Sequence, residues 1–363
     1  MSSQLCIFLC KLFPKGRSSY AESLARPDKM CYTYLCSPTK HHHDTERTAL
    51  MKHLSRILLM LLALAIALPC AAETGYAPID TWLVNKQPAP APYKPNPDCY
   101  LPDNAGYEDG SLSIRVETTY WTDDIKQVET QTDGVTAVMA IRVKLSDPTQ
   151  FRTALASPYP SKQISRVEQM AARNNAVLAI NGDFFNHHDS GIAYRNGRKM
   201  RFNANNLREL LIIDDQGDFH YLRPTSKKGW DAFEAAGGVA LHTYWFGPNL
   251  ILENGEPMTT FTNNENNGPW MKAQRMVIGQ VGKLEYLILC CEGPESTDYK
   301  DQGFTLAQMA KLCVAFGMDN AYNLDGGSST TVVLNGQKIN SPSNPKRREV
   351  GDCIYFATLV PNN

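Results

Sequence analysis

A carboxylate followed by two glycines and four hydroxyl residues is the part of this sequence best suited to chemistry. The stretch AYNLDGGSSTTVVLNG, residues 321–336, places Asp325, Gly326 and Gly327 between two apolar runs. Consecutive main-chain amides in a glycine-rich turn form a concavity that binds anions. Hydroxyls and a carboxylate beside it suit a sugar or a phosphate. The pattern therefore predicts a ligand site; the alternative is a tight turn in which glycine only supplies positive φ.

A second polar segment follows an earlier apolar run. The residues AVLAI lead directly into Asn181, Gly182 and Asp183, and two phenylalanines come next. Ligand sites gather at such strand ends because a rigid sheet holds them while the loop stays reachable. The alternative is an Asx turn with aromatic packing behind it.

Two adjacent histidines and a carboxylate leave a metal site open. His187, His188 and Asp189 follow the second polar segment, although neighbouring histidines point apart and rarely bind one ion together. No spacing among the cysteines after residue 72 resembles a zinc site. We therefore expect no cofactor, and we leave a structural calcium ion open.

Two arginines each precede an apolar run. Arg275 lies in QRMVIGQ and Arg348 in KRREVGD. A guanidinium beside an anion site binds a phosphate through two parallel hydrogen bonds, whereas most arginines are simply solvated. Aromatic residues 244–246 offer either a stacking face for a sugar or a part of the core.

The elements that position these residues follow a repeated order. In residues 161–175, Ile164, Val167, Met170 and Ala171 share one helical face. The apolar run AVLAI then predicts a short strand that is buried on both faces. The segment that ends at Asn181, Gly182 and Asp183 is thus predicted to be a helix followed by a strand and a polar strand end.

The same order recurs before the glycine-rich turn. Thr305 and Gln308 form a capping box at the start of TLAQMAKLCVAF, and Gly317 is a good helix stop. AYNL then predicts a strand. Strand-like runs lie between the two units: ELLIID, VALHTYWF, RMVIG and LEYLILC. This order predicts an α+β fold with a mixed, largely antiparallel twisted sheet packed with a few helices.

The bulk composition is that of a globular protein. Hydrophobic residues make up 43% of the 363 residues and charged residues 20%, with a formal net charge of -1. That balance gives no case for nucleic acid as a partner. Five of the ten cysteines follow residue 72, and we expect most of them to be buried, with one disulfide possible.

The N-terminal region predicts export. Basic residues near Met51 precede an apolar run at 57–68 and a small-residue exit at 70–72, which is the pattern of a secretory signal peptide. We therefore predict four segments: an upstream extension at 1–50, a signal peptide at 51–72, a Pro-rich linker at 73–109 and a folded domain at 110–363. The mature protein is expected to be secreted or periplasmic, without stable membrane insertion.

Four blocks of the sequence resemble the phosphodiester glycosidase family, which has bacterial secreted members. The blocks are AINGDFF, QRMVIG, GFTLAQMAKL and AYNLDGGSSTTVVLNG, in the family's order, and the resemblance covers roughly residues 137–359. Three positions depart from the family pattern. Asp183 stands where a second glycine is usual, Asn186 where an aspartate often follows, and Ser328 where a third glycine is usual.

The resemblance implies an α+β fold and hydrolysis of the bond between a sugar's anomeric carbon and a phosphodiester. Asp325 is then the first catalytic candidate, with Asp183 or Glu292 as the second. The implied substrate-binding residues are Asn181, Gly182, Arg275, Asn323, Gly326, Gly327, Ser328, Ser329, Thr331 and Arg348.

The implied function is cleavage of a sugar-1-phosphodiester in an envelope glycan or exopolysaccharide, whose sugar-phosphate links would be the substrate. Two other classes compete with this hypothesis. One is a non-catalytic binder of cell-surface glycan, which the departures at Asp183 and Ser328 favour. The other is a metal-dependent phosphodiesterase that uses His187, His188, Asp183 and Asp189.

Overall fold

The computed structural model describes residues 83–84, 87–88, 93–187, 189–204, 207–261, 268–294, 303–341 and 348–361. The predicted extension at 1–50 and signal peptide at 51–72 lie outside the described residues, as does His188. Within the described ranges, no helix is both long enough and apolar enough to cross a membrane.

The described chain is built mainly from strands. Three α-helices occur in it: α1 (Val167–Arg173), α2 (Lys227–Ala235) and α3 (Leu306–Ala315). The strands are β1 (Leu83–Val84), β2 (Gln87–Pro88), β3 (Tyr100–Leu101), β4 (Gly106–Glu108), β5 (Leu112–Trp121), β6 (Gln127–Val128), β7 (Thr136–Leu145), β8 (Phe151–Leu155), β9 (Leu178–Asn181), β10 (Gly191–Arg195), β11 (Arg198–Asn203), β12 (Leu210–Asp214), β13 (Phe219–Leu222), β14 (Ala240–Tyr244), β15 (Arg275–Gly282), β16 (Glu285–Cys291), β17 (Tyr322–Asn323), β18 (Val332–Leu334), β19 (Gln337–Lys338) and β20 (Asp352–Phe356).

Two large sheets organise the fold. The first contains eight strands, in the order β17-β15-β16-β7-β5-β4-β3 with β6 paired to β5, and the second has the order β19-β18-β9-β20-β8. A three-stranded sheet, β13-β12-β14, and the β10-β11 hairpin accompany them. The pairings within both large sheets are antiparallel. The predicted sheet-dominated α+β fold is confirmed.

The main core lies between the two large sheets. Ile141 and Ile288 of the eight-stranded sheet share one buried cluster with Ile180 and Ile354 of the five-stranded sheet. Side chains alternate along a strand, so the next residues face the other way. Accordingly Cys353 and Tyr355 lie in a separate cluster with α1, and α3 covers the opposite face of the eight-stranded sheet.

The helices largely follow their sequence signals. In α3 the Thr305 and Gln308 side chains form the predicted capping box, and Gly317 adopts a φ of +73° after the helix. Helix α1 buries Val167, Met170 and Ala171 as expected. The inclusion of Ile164 in this helical face is wrong. Ile164 precedes the helix, which begins only at Val167, and is 46% exposed.

The eight-stranded sheet begins before residue 110. Strands β3 and β4 pair with each other, and β4 pairs with β5, inside the stretch predicted as a linker. The cause is aromatic packing: Tyr107 is fully buried, and its ring meets that of Tyr100 edge to face at 4.8 Å. The prolines at 97 and 102 begin short 3-10 helices that flank β3, where a missing N–H is tolerated.

The five described cysteines are all unpaired. Four are buried and Cys99 is half-buried, so the expectation of buried cysteines is largely confirmed, and the possible disulfide is not formed among them. Cys290 and Cys291 point to opposite faces of β16 and join different core clusters. Burial raises the pKa of both thiols, which keeps them protonated and unreactive.

Ile180→Ala should strongly destabilise the protein, because Ile180 is fully buried and pairs with both Val332 and Ile354. We expect a loss of about 2–5 kcal/mol in the free energy of unfolding. Urea denaturation followed by circular dichroism measures it. The matched control is Val239→Ala, at a site 51% exposed, which should change stability by less than about 0.5 kcal/mol. Equal denaturation midpoints for the two variants would contradict this account of the core.

Candidate active site

The glycine-rich turn connects the two large sheets. Strand β17 ends at Asn323 on the edge of the eight-stranded sheet, and β18 begins at Val332 inside the five-stranded sheet. The segment from Leu324 to Thr331 therefore crosses from one sheet to the other. This explains why polar residues stand between two apolar strands: the chain leaves one sheet and enters the other here, and both strands pack into the core between the sheets.

Asn181 fixes both ends of this crossing. Its side-chain Nδ2 donates to the main-chain oxygen of Asp325 at 2.7 Å, and its Oδ1 accepts from the N–H of Thr331 at 3.1 Å. Asn181 is fully buried at the end of β9. The Asp325 N–H also donates to the oxygen of Gly182 at 3.4 Å. The two polar segments, distant in sequence, thus meet.

Close packing requires the first glycine and a positive φ favours the second, so neither is there to leave an amide open. A Cβ on Gly326 would lie 2.8 Å from the oxygen of Gln274, and Gly327 has a φ of +58°. The Gly326 N–H donates to Oδ1 of Asp325 at 2.9 Å, and the Gly327 N–H donates to the oxygen of Gln274 at 2.9 Å. Both amides already have acceptors, so the predicted anion cradle would need other donors.

The Asp325 carboxylate is the chemically distinctive group of the turn. Burial raises its pKa above the ordinary value of 3.8. The Ser329 hydroxyl, the charge of Arg348, the Gly326 N–H and His187 all act in the opposite direction. A carboxylate whose pKa is set by opposing burial and positive charge is typical of functional sites.

Two basic side chains interact with this carboxylate. Arg348 and His187 are both exposed, and both lower the pKa of Asp325. The loop that carries His187 lies against the segment before β20, where a Cβ on Gly351 would approach Asn186 within 2.6 Å. The exposed guanidinium of Arg348 near the carboxylate suits an anionic substrate.

Asp183 turns away from this cluster. Its Oδ1 accepts from Nη2 of Arg195 at 3.0 Å, and its Oδ2 accepts from the N–H of Trp245 at 2.9 Å. Nε of Arg195 also donates to Oδ2 of Asp352 at 2.8 Å. All three charged side chains are almost fully buried. Asp183 is therefore one end of a buried ion triad.

The triad is short of positive charge, because two carboxylates face one guanidinium. Burial raises the pKa of Asp352, the Arg195 guanidinium opposes this, and Asp183 adds to the rise. The triad also sets the space behind the site, since a Cβ on Gly182 would lie 2.4 Å from Oδ1 of Asp352. Only glycine fits between this carboxylate and the Asp325 main chain.

Three other predicted site residues form hydrogen bonds within the protein. The Arg275 guanidinium donates to the main-chain oxygens of Phe304, Gly268 and Met271. Oε1 of Glu292 accepts from the N–H of Ser341 at 2.7 Å. Nδ2 of Asn323 donates to the oxygen of Gly247 at 2.9 Å.

The remaining predicted residues lie in or beside the turn. Ser328 is half-buried, whereas Ser329 is fully buried and Thr331 nearly so. The Thr331 hydroxyl donates to the oxygen of Ser329 at 3.1 Å. The structure therefore brings together Asp325, its neighbours in the turn, Asn181, Gly182 and Arg348.

The aromatic residues 244–246 belong to the core. Tyr244 is fully buried, Trp245 is 4% exposed and Phe246 7%. Of the two interpretations that the sequence left open for them, packing is therefore the correct one.

The described residues hold no group of three or more histidine, cysteine and acidic side chains arranged to bind a metal ion. Asp183 is bonded within the triad, and Asp189 pairs with Lys162 at 3.0 Å. The metal-binding hypothesis thus has no assembled ligand set within the part of the chain that the structure describes.

A groove of about 1250 Å³ lies at the other end of β17 from Asp325. It is lined by carboxylates such as Asp214 and Asp319, by the side chain of His220 and by the aromatic ring of Phe233. None of the predicted catalytic residues lines it, so the glycine-rich turn remains the candidate active site.

Sequence reasoning missed Arg195 and Asp352. Both stand in strands whose other residues are almost entirely buried, and a charge inside such a strand indicates a buried partner. That signal is visible in GIAYR and in GDCIYF, although it does not show which charges pair.

These features define a class of protein: a sheet-dominated α+β fold with a carboxylate-bearing turn where two sheets meet. The family profile described as phosphodiester glycosidase matches residues 174–357, about half of the chain. The protein belongs to the phosphodiester glycosidase family.

Two solved structures share the fold. One is the catalytic domain of zebrafish N-acetylglucosamine-1-phosphodiester alpha-N-acetylglucosaminidase, described as auto-inhibited by its pro-peptide, with a TM-score of 0.55 and 18% identity over 69% of this chain and 85% of that one. The other is a "hypothetical protein" from Synechocystis, with a TM-score of 0.50 and 15% identity over 68% of this chain and 62% of that one. No curated protein matches the chain.

Arg195→Met should destabilise the protein more at pH 8 than at pH 5. Without the guanidinium, the folded-state pKa of Asp352 rises further above its unfolded value of about 3.9. Stability from the protonated acid is fully present below the unfolded pKa and is lost as pH rises through the folded pKa. We expect a loss of about 3–5 kcal/mol at pH 8, measured by urea denaturation.

The matched control is Arg198→Met in the same hairpin, where the arginine is half-buried at the surface. This variant should show a small loss that does not depend on pH. A loss for Arg195→Met that is the same at both pH values would contradict the assignment of a charge-deficient triad.

Proposed function

We propose that the protein is an exported hydrolase that cleaves the glycosyl-phosphate bond of a sugar-1-phosphodiester in an envelope or extracellular glycan. The observation that carries this proposal is the Asp325 carboxylate, held where the two sheets meet and flanked by Arg348 and His187. Membership of the phosphodiester glycosidase family supports it. The signal-like segment at 51–72 supports export.

Asp325 acts in this proposal as an ionised carboxylate at the anomeric carbon. Glycoside cleavage passes through a positively charged, oxocarbenium-like state that a carboxylate stabilises. Water attacks the anomeric carbon, the bond from that carbon to the phosphate oxygen breaks, and its electron pair leaves with the phosphomonoester. The proton that the water loses passes to solvent or to the departing phosphate. Because a phosphate oxygen is a weak base, it needs little help from an acid as it departs.

Arg348 holds the phosphate in this arrangement, because an exposed guanidinium beside the carboxylate can bind phosphate oxygens in pairs. Arg275 does not bind the phosphate in this proposal, because its guanidinium donates hydrogen bonds to three main-chain oxygens. The anion is therefore bound by side chains at the mouth of the turn rather than by the amides of Gly326 and Gly327.

Glu292 is the better of the two candidates for a second carboxylate. Strands β16 and β17 both flank β15, with Cys291 opposite Arg275 and Asn323 opposite Val277. Glu292 therefore follows the same edge of the sheet that Asp325 follows. Asp183, by contrast, is buried in the triad with Arg195.

Asp325→Asn should lower kcat/KM for a sugar-1-phosphodiester by about 10³-fold while the protein stays folded. A panel of such diesters, with free reducing sugar as the readout, measures it. Asp319→Asn, an exposed carboxylate before β17, is the matched control and should retain activity. Full activity in Asp325→Asn would refute the role of this carboxylate.

The native protein distinguishes the competing functions when calorimetry with the same diesters is added to the hydrolysis assay. Binding of the diesters without release of sugar would favour a glycan binder, and loss of activity in a chelator would favour a metal-dependent phosphodiesterase.

The acid side of the pH–rate profile should follow the ionisation of Asp325. Activity should rise with pH through a midpoint above 3.8, because burial raises the pKa of this carboxyl. Arg348→Gln should move that midpoint to higher pH, since the arginine's charge lowers the pKa. Arg198→Gln is the control and should leave the midpoint in place. An acid limb that Arg348→Gln does not move would contradict the assignment.

A further inference from the structure

A large exposed aromatic side chain lies on the loop before β15. Trp270 is 60% exposed and its neighbour Met271 is 69% exposed. Large apolar side chains clustered on the surface mark contact sites more often than single scattered ones do. An indole ring also provides the flat apolar face on which a pyranose ring can stack.

The main chain around Trp270 is fixed although its side chain is exposed. Nη2 of Arg275 donates to the oxygens of Gly268 at 3.1 Å and Met271 at 2.7 Å. The N–H of Leu306, at the start of α3, donates to the oxygen of Pro269 at 2.9 Å. A side chain held on a fixed backbone loses little entropy when a ligand binds to it.

The same loop adjoins the candidate active site. Its residue Gln274 accepts the hydrogen bond from the Gly327 N–H at 2.9 Å. A Cβ on Gly326 would lie 3.9 Å from Cδ of Arg275, the side chain that holds the loop. Trp270 is thus connected to the Asp325 turn through one buried arginine and one main-chain hydrogen bond.

We propose that Trp270 is a stacking platform for a pyranose ring of the substrate beyond the phosphodiester that is cleaved. This inference rests on the proposed function and adds a substrate-positioning side chain to it. Because Gln274 and Arg275 lie between Trp270 and the turn, the ring on Trp270 is not the sugar attacked at Asp325. The platform therefore contacts a sugar on the leaving side of the phosphodiester, and Arg275 positions the platform.

Trp270→Ala tests the platform through the choice of leaving group. For a sugar-1-phosphodiester with a disaccharide leaving group, KM should rise about tenfold more than for the methyl diester of the same sugar. Trp270→Phe, which keeps a flat ring, should recover most of the difference. Equal changes in KM for the two substrates would overturn the proposal.

A binding measurement separates failure of the platform from failure of the proposed function. Calorimetry with neutral disaccharides (maltose, cellobiose and chitobiose) requires no turnover. The native protein should bind at least one of them about tenfold more tightly than Trp270→Ala does. Equal binding, or no binding by the native protein, overturns the platform, whereas absent hydrolysis of every diester counts against the proposed function alone.

Tyr93→Ala is the matched control for the loss of an exposed aromatic ring. Tyr93 is 47% exposed and precedes β3, on the edge of the eight-stranded sheet opposite β17. Its removal should leave both disaccharide binding and the KM ratio unchanged. Thermal unfolding of all variants shows that they are folded, and a similar loss of binding in Tyr93→Ala would contradict a specific role for Trp270.

Discussion

The side chain of Asn181 is the interaction on which the site depends. One amide group bonds to the main chain at both ends of the glycine-rich crossing, at Asp325 and at Thr331. Because the group is fully buried, neither bond competes with water, and loss of either partner would leave a buried polar atom unsatisfied. The position of the Asp325 carboxylate is therefore set by the five-stranded sheet, although its strand belongs to the other one.

The buried triad shows how this chain accommodates a carboxylate at position 183, beside the site. Arg195 supplies the charge that makes the burial of Asp183 tolerable. The same arginine bonds to Asp352, which packs against Gly182 beneath the site. Asp183 is thus linked through Arg195 and Asp352 to the backbone beneath the site, although its own carboxylate does not enter the site.

Local signals in the sequence were enough to predict several elements. The capping box and apolar spacing predict α3, and the apolar runs ELLIID and LEYLILC predict β12 and β16. The resemblance implies that Asn181 and Asp325 serve one site, which requires the two polar segments to lie close together. These features depend on neighbours within a few residues, or on a pattern shared with relatives.

Other features depend on contacts that no local pattern encodes. The sequence does not show that Arg195 pairs with Asp352, because either charge could have faced solvent. It suggests a phosphate role for Arg275, whose guanidinium instead bonds to main-chain oxygens. It also missed the first strands of the large sheet, since β3 is a two-residue edge strand between prolines. In each case tertiary packing decides the outcome.

The place of β20 has a consequence for how the chain folds. This strand is close to the C-terminus, yet it lies inside its sheet between β9 and β8, with Phe356 opposite both Leu178 and Phe151. Until β20 is synthesised, those two earlier strands each present an open edge, which is where unwanted association begins. Bringing β20 together with β8 and β9 also closes long loops of chain, which is slow. The five-stranded sheet can therefore close only after β20 has been made, however early β8 and β9 emerge.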